Sequence, residues 1–480
     1  MVKLAPARLA ISVLLALAAP AAAQDRPDLR NLARFKYRPT PEELERLLHD
    51  AWYGVYLNEA KVGYGQVTFL RTADGYEATS SVKMQFVRSG TTQEIVVRSR
   101  LVFDLTSPYA LRAGFHRKRC NEVVVETRAR REAPGRFQVT TRQQGGTQVR
   151  TVDRVDFNLT DHVAQVIWAR ERPVQGSELT TLRLDVESWR LGAARMRVEA
   201  SREAQQRVAL LGAQGEKVGQ LTLDAQGLTA RETFPGGVEL RLEPRTAAKE
   251  LDEAIDILEA TAAPVDRELG DPARVVRLRL QVGGPDRGRL PDATLQRVTK
   301  HPDGRVFLEV DTRAERTPAT RDELRRCLEA TPELAHQDPR VQAFARDATR
   351  GAATPWEKVK QLVRAVHRHI EYDLNRNAFT ALQVLEARRG DCSEYALLTA
   401  AACRAVGVPA RGVSGLGYAG DEERAFGGHA WTEVVIDGRW VPVDACWDQA
   451  PADATHIRLS ELGTWAPSRV KFRALEVDRR

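Results

Sequence analysis

From Trp52 to about Leu242 the chain is written in short β-branched runs, and this texture limits the fold more than any other feature. Val67-Thr68-Phe69-Leu70, Glu94-Ile95-Val96-Val97 and Glu122-Val123-Val124-Val125 are examples. Turn signals separate the runs: Ala73-Asp74-Gly75, Pro134-Gly135, Gly145-Gly146 and Pro235-Gly236-Gly237. Many short strands joined by tight turns predict an antiparallel sandwich or open barrel. No His/Cys/carboxylate cluster with metal-ligand spacing falls in this stretch, so it reads as a scaffold or binding module. Asn158-Leu159-Thr160 spells a glycosylation sequon, which matters only in a host that glycosylates.

The texture changes on either side. Thr40-Pro41-Glu42-Glu43 has the form of a helix start, with Pro at the first helical position. Residues 246–270 read as a helical linker, and 272–313 return to strands around a Pro302-Asp303-Gly304 turn. From Thr320 the chain is mainly helical, then β. Thr320 with Glu323 fits a capping box. Trp356, Val359, Leu362, Val363, Val366 and Ile370 mark one face of an amphipathic helix. His367 and His369 are two apart on that helix, so they do not share a face for one metal ion and read as solvated. The expected class is α+β. The expected divisions are 1–23, 24–51 (helical), 52–245 (β-rich), 246–270 and 271–480, with a catalytic core at about 320–465.

The N-terminus has the pattern of a secretory signal. Lys3 and Arg8 precede an apolar stretch from Leu9 to Ala19, and Ala21-Ala22-Ala23 offers a cleavage site. That run is too short to span a membrane, and no other stretch reaches roughly 18 uninterrupted apolar residues. The expectation is a periplasmic or extracellular protein without a membrane span. Formal net charge is +7 and becomes +5 without the signal. A positive charge of this size favours an anionic envelope surface and gives no argument for nucleic acid. The short run Arg117-Lys118-Arg119 reads as a solvated strand end. Five cysteines make an odd count, so at least one thiol stays unpaired within the chain, and in an oxidising compartment that needs a reason.

The stretch from Arg389 to Leu459 supplies a reason. Asp391 as N-cap and Glu394 three residues on form a second capping box, and an apolar helix follows from Ala396 to Val406. Gly407 ends it and Pro409 prevents its resumption. Cys392 therefore sits in a helical first turn. Free N–H groups and the helix dipole there predict a lowered thiol pKa and a means of stabilising an oxyanion. Further on, Asp437-Gly438 is a strong hairpin signal. Pairing Ile436 with Arg439 sets Trp431 opposite Asp444 and His429 opposite Cys446. His429 and Asp444 then fall diagonally on one face, about 7–8 Å apart at the backbone. An imidazole spans that gap to a carboxylate. The roles follow: Cys392 attacks an acyl carbon, His429 moves the proton, and Asp444 orients the imidazole.

Gly390-Asp391-Cys392, Arg404-Ala405-Val406-Gly407-Val408-Pro409-Ala410-Arg411, His429-Ala430-Trp431-Thr432-Glu433-Val434 and Trp440-Val441-Pro442-Val443-Asp444 occur in this order. On these motifs, residues from about 320 to 465 resemble the transglutaminase-like superfamily, and Ala454-Thr455-His456-Ile457 resembles its bacterial members. The resemblance implies a papain-like fold and a cysteine enzyme acting on amide bonds of a protein or peptide through a thioester. An amine acceptor gives crosslinking; water gives deamidation or peptide cleavage. No metal cluster is visible in the sequence, and the mechanism needs neither a metal nor a cofactor. The rival from another class is a non-catalytic envelope binding or assembly protein. The motifs cover about a third of the chain and leave the β-rich half unassigned.

The bland readings of the remaining residues are equally specific. Cys327 and Cys403 read as core, and Cys446 as a packing residue beside the site. The pairing of Cys120, Cys327, Cys403 and Cys446 stays open, as does the oligomeric state. His456 reads as structural. Trp431, Trp440 and Trp447 read as core, with walls of an acyl groove as the alternative. Tyr372 and Gln383 are upstream candidates for a second oxyanion donor. Asp421-Glu422-Glu423 reads as a solvated loop, because the alternating oxygen ligands of a calcium loop are absent.

Overall fold

The computed structural model describes residues 37–480 apart from 89, 144–145, 203, 213–214, 216, 226, 235–236, 253, 332, 375–377 and 463–468. The expected signal peptide lies wholly outside the described residues, and the Gly145-Gly146 and Pro235-Gly236-Gly237 turns lie partly outside them. The chain divides into two compact units. One contains Asp256–Arg480 together with the short segment Val87–Thr91; the other contains the described residues up to Phe86 and Thr92–Ile255.

The β-rich unit is built on one antiparallel sheet of 14 strands. Eight consecutive strands run from His49–Leu57 to Gly146–Val152, and six more from Glu178–Asp185 to Val238–Glu243. Each strand pairs with its neighbour in sequence within its own series. The two series join where His49–Leu57 pairs with Val238–Glu243, with Val55 opposite Leu240. A sandwich of two hydrogen-bonded sheets was one expectation; the strands instead form a single sheet.

A helix inside the expected all-strand stretch, α1 (Leu159–Arg170), explains how that sheet is covered. Its start is the segment spelled as a sequon. Asn158 is the N-cap, accepting from the Asp161 N–H at 3.1 Å, while Asp161 accepts from the Asn158 N–H. Such a reciprocal cap satisfies two otherwise orphan donors. Leu159, Val163 and Ile167 from α1 pack with Phe69, Phe103 and Phe137 of the first series and with Leu182 and Leu184 of the second. Burial of each such side chain contributes about 1.5–3 kcal/mol.

In the C-terminal unit, helices α2 (Pro339–Ala348), α3 (Pro355–His369), α4 (Ala381–Ala387) and α5 (Cys392–Ala405) pack beside a five-stranded sheet. Its strands are β1 (Ala263–Pro264), β2 (Ala410–Tyr418), β3 (Ala425–Ile436), β4 (Arg439–Val443) and β5 (His456–Glu461). β3 pairs with β1, β2 and β4, and β2 also pairs with β5. A separate four-stranded sheet joins Val275–Gly283, Gln296–Lys300, Val306–Asp311 and the C-terminal Lys471–Arg479. The expected linker region holds two short helices, Arg245–Lys249 and Ile257–Thr261. No helix of the described residues is long and apolar enough to cross a membrane.

α5 is the buried axis of this unit: from Cys392 through Arg404 every residue is buried. Its small residues Ala400, Ala401 and Ala402 let neighbours approach, and Leu398 and Cys403 join Val359, Leu362, Val363 and Val366 of α3 in the core. The apolar stripe anticipated on α3 is thus the face that meets α5. His367 and His369 are not merely solvated: His367 Nδ1 lies 2.9 Å from the Ala445 carbonyl oxygen and His369 Nε2 lies 2.9 Å from that of Leu385. Asp421 also departs from the solvated-loop reading. It accepts from the Leu269 and Gly270 N–H groups at 3.0 Å and from the Tyr418 hydroxyl at 2.6 Å, pinning the loop before β3.

Candidate active site

Cys392 opens α5. Asp391 is the N-cap: its Oδ1 accepts from the Ser393 N–H at 2.7 Å, and Glu394 Oε2 accepts from the Asp391 N–H at 2.9 Å. The Glu394 and Tyr395 N–H groups donate to the Asp391 carbonyl. The box thus uses the amides that follow Cys392. Glu394 Oε1 also accepts from the Ala378 N–H at 2.9 Å, which ties the preceding loop to the helix start. A side chain at Gly390 would strike Glu394 Cγ at 2.4 Å, so glycine there permits the box to close.

The thiol is fully buried, among Leu374, Ala396 and Ala430, with Tyr372 and Cys446 at the edge. Here the expectation of a lowered pKa fails. Burial, followed by the Asp391 carboxylate, pushes the Cys392 thiol well above its ordinary value. Loss of hydration and a close negative charge outweigh the helix dipole. Arg88, from the segment that clusters with this unit, is buried and pairs with Asp391, and it partly offsets that charge. Nothing in the local sequence around Cys392 signals Arg88.

His429 stands on β3 and Asp444 follows β4. The Ile436–Arg439 pairing is as expected, but the ladder ends at Thr432 opposite Val443. The expected pairings of Trp431 with Asp444 and His429 with Cys446 do not form. Asp444 instead bridges to Gln449, and its Oδ1 accepts from the Cys446 N–H at 2.7 Å. This side-chain-to-backbone turn ends the strand, a common use of aspartate. The carboxylate still meets the imidazole: His429 Nε2 lies 2.7 Å from Asp444 Oδ2, with both residues buried. Nδ1 is then the imidazole nitrogen left for a thiol.

The same Asp444 oxygen takes a second partner. His456 Nε2 lies 3.1 Å from Asp444 Oδ2, and His456 Nδ1 lies 3.2 Å from Asp453 Oδ1. Asp453 is fixed in turn by Thr455 and Gln449. Burial opposes charge on both sides, but pairing overcomes it. Asp453 and Asp444 push the His456 imidazole up to about 10, and His429 and His456 hold the Asp444 carboxyl far below the usual carboxylate range. His456 thus bridges Asp444 and Asp453 within the buried cluster. The His-Ile pattern after a short Asp/Ala/Thr loop was the available signal, and the second carboxylate, Asp453, was missed. The donor atoms of His429, Asp444 and His456 lie within 4.8 Å of one another, a spacing a metal ion also accepts. Both Nε2 atoms point at Asp444 Oδ2.

Trp447 stacks on His429 with ring centroids 4.2 Å apart. Trp431 and Trp440 are core, at 2% and 1% exposure. Trp440 carries the Arg411 guanidinium 3.8 Å from its centroid, and Arg411 pairs with Glu433 at 2.8 Å, which explains the motif glutamate as structural. Gln383 Oε1 accepts from the Phe379 and Thr380 N–H groups and caps α4, while its Nε2 is buried without a hydrogen-bond partner. Tyr372 lies beside Cys392, its phenol raised by burial and next by that thiol. All five cysteines are free thiols. Cys403 and Cys327 are buried as expected, and Cys446 packs in the cluster of Cys392.

Residues 342–445 match the description of the transglutaminase-like superfamily. This segment is a transglutaminase-like core. The match covers α5, β2, β3, β4 and the three residues Cys392, His429 and Asp444 within them. The kyphoscoliosis peptidase of Mus musculus is 32% identical over 133 residues, which is 25% of this chain and 20% of that protein. The chain therefore spans about a fifth of the length of this curated relative. A candidate cysteine protease of Cytophaga hutchinsonii is similar over 43% of this chain and 86% of its own, with 14% identity and a TM-score of 0.28. A β-barrel-like protein of Brucella abortus, with a domain of unknown function, is similar over 41% of this chain and 95% of its own, with 13% identity and a TM-score of 0.31.

Proposed function

We propose that the chain is an exported cysteine enzyme that opens amide bonds of proteins or peptides through a thioester on Cys392. The observation that carries this reading is the buried His429–Asp444 hydrogen bond, 2.7 Å long, in the transglutaminase-like core that also presents Cys392 at a helix start. In a papain-like arrangement of these parts, substrate binding brings the thiol to His429 Nδ1. The thiol is neutral at rest, so its proton passes to Nδ1 as sulfur attacks the amide carbon. The S–C bond forms, the carbonyl π pair moves to oxygen, and the Cys392 N–H donates to that oxyanion. Collapse expels the amine, which takes the proton from His429. Water or an amine then attacks the thioester and regenerates the thiol. Asp444 holds Nε2–H throughout and balances the imidazolium. The name peptidase borne by the mouse relative supports the hydrolytic branch.

A second reading has one observation in its favour. Cys392 is 0% exposed, which suits a non-catalytic binding or assembly protein as well as a covered enzyme. Incubation with glutamine-bearing peptides, with and without an amine donor, and mass spectrometry separates the two. Ammonia release or peptide cleavage that vanishes in Cys392→Ala is the expected result. Equal product from both proteins overturns the enzyme reading. The predicted export is tested by fractionating cells that express the full chain and sequencing the mature N-terminus, which is expected after Ala23.

A further inference from the structure

The β-rich unit holds a partly open cavity of about 220 Å³, lined by α1 and by strands of both series. Phe69, Met196 and Leu221 typify its walls. Among the ionisable side chains that line it, Arg183 and Glu232 stand against these walls, and Arg100 is paired with Glu77. Glu232 is 2% exposed and its Oε1 accepts or donates no hydrogen bond. Leaving such an oxygen unpartnered away from water costs about 1–3 kcal/mol, so its retention calls for a use. Asp161 also lines the space, but its carboxylate caps α1. His162 lines the same cavity.

We propose that this cavity binds a medium-chain monocarboxylate, with its alkyl tail among the apolar walls and its carboxylate between Arg183 and Glu232. Burial pushes the Glu232 carboxyl up to about 8, so at neutral pH it carries a proton and offers an O–H donor. Burial draws Arg183 down to about 9, which leaves it cationic at the same pH. The His162 imidazole, drawn down to about 4 by burial, is neutral. With Arg100 paired to Glu77 and Asp161 capping α1, a cationic Arg183 beside a neutral Glu232 complements an anionic head and repels a cationic one. A dry cavity of ~150 Å³ accepts benzene, so this one has room for a chain of several carbons.

Isothermal titration of the full chain with octanoate, octylammonium and octanol tests this. Octanoate is expected to bind, with octylammonium about tenfold weaker or worse. Ala194→Phe, which fills the cavity, is expected to abolish octanoate binding with the circular dichroism spectrum unchanged. Arg183→Leu is expected to weaken it about tenfold or more. No octanoate binding, equal or tighter octylammonium binding, or an Ala194→Phe protein that folds and binds like wild type each overturns the proposal. Should Arg183→Leu not fold, the comparison of octanoate with octylammonium on the wild-type chain still decides.

Discussion

Trp447 lies flat on His429, 17° from parallel and 4.2 Å between ring centres. Gly417 on β2 makes room for the pair, since a side chain there would meet Trp447 at 2.8 Å and His429 at 3.2 Å. The proposed base is thus fixed by its Asp444 hydrogen bond at one edge and by stacking on its face. Trp447→Ala is expected to lower kcat about tenfold or more through loss of orientation, with Trp447→Phe retaining most of it. Steady-state kinetics on a cleavable peptide checks the order.

Asp444→Asn keeps the shape of the side chain and removes the charge that two imidazoles share. Turnover is expected to fall roughly 10²–10⁴-fold, because the amide neither fixes the tautomer nor balances an imidazolium. Circular dichroism should stay close to wild type. A variant with unimpaired turnover would mean that His429 works without this partner.

The charged His456 makes stability depend on alkali. Its folded value, about 10, lies above the ~6.5 of an unfolded histidine. The stabilisation is therefore complete below ~6.5 and is lost as pH rises through about 10. Thermal unfolding of wild type should show a falling Tm across that window, and His456→Gln should show a shallower fall from a lower start. Parallel curves for the two proteins would refute a charged His456.

Cys446 and Cys392 share one cluster, but only Cys392 is assigned chemistry. Cys446→Ser is expected to keep most of the turnover, while Cys392→Ser loses it. Because Cys392 is fully covered, alkylation of the folded enzyme by iodoacetamide should be slow and should accelerate when peptide substrate opens the site. Mass spectrometry of the labelled peptides reads both.

The proposed chemistry uses no metal, and the three clustered donors spend themselves on one another. Turnover is expected to survive prolonged EDTA treatment unchanged, and a chelator-sensitive, zinc-restored activity would overturn this assignment.

The helix cap at Asp391 and the hairpin at Asp437-Gly438 were legible because both are local: their side chains satisfy backbone groups a few residues away. The same logic explains the capping box at Thr320 and Glu323, which forms as expected. What escaped was tertiary. His429 meets Asp444 by a turn that aspartate itself makes, rather than by the strand pairing first expected. The rise in the Cys392 pKa comes from burial, which a helix start alone does not reveal. Arg88 comes from a distant segment that no spacing rule connects to the site, while Trp447 and Asp453 sit on the loop from Asp444 to His456, whose fold depends on side-chain contacts. In the β-rich unit, strand texture was clear, while α1 was hidden because its cap resembles a loop motif and its apolar residues sit among strands.

The sheet of that unit has a consequence for how it is made. Every pairing but one joins strands that are neighbours in the sequence, so two chains of hairpins can zip independently with short loops to close. The exception, His49–Leu57 with Val238–Glu243, closes a loop of nearly the whole unit. On a growing polypeptide the first strand must keep an open edge until the last is synthesised. Until then that waiting edge is open to pairing with the wrong chain.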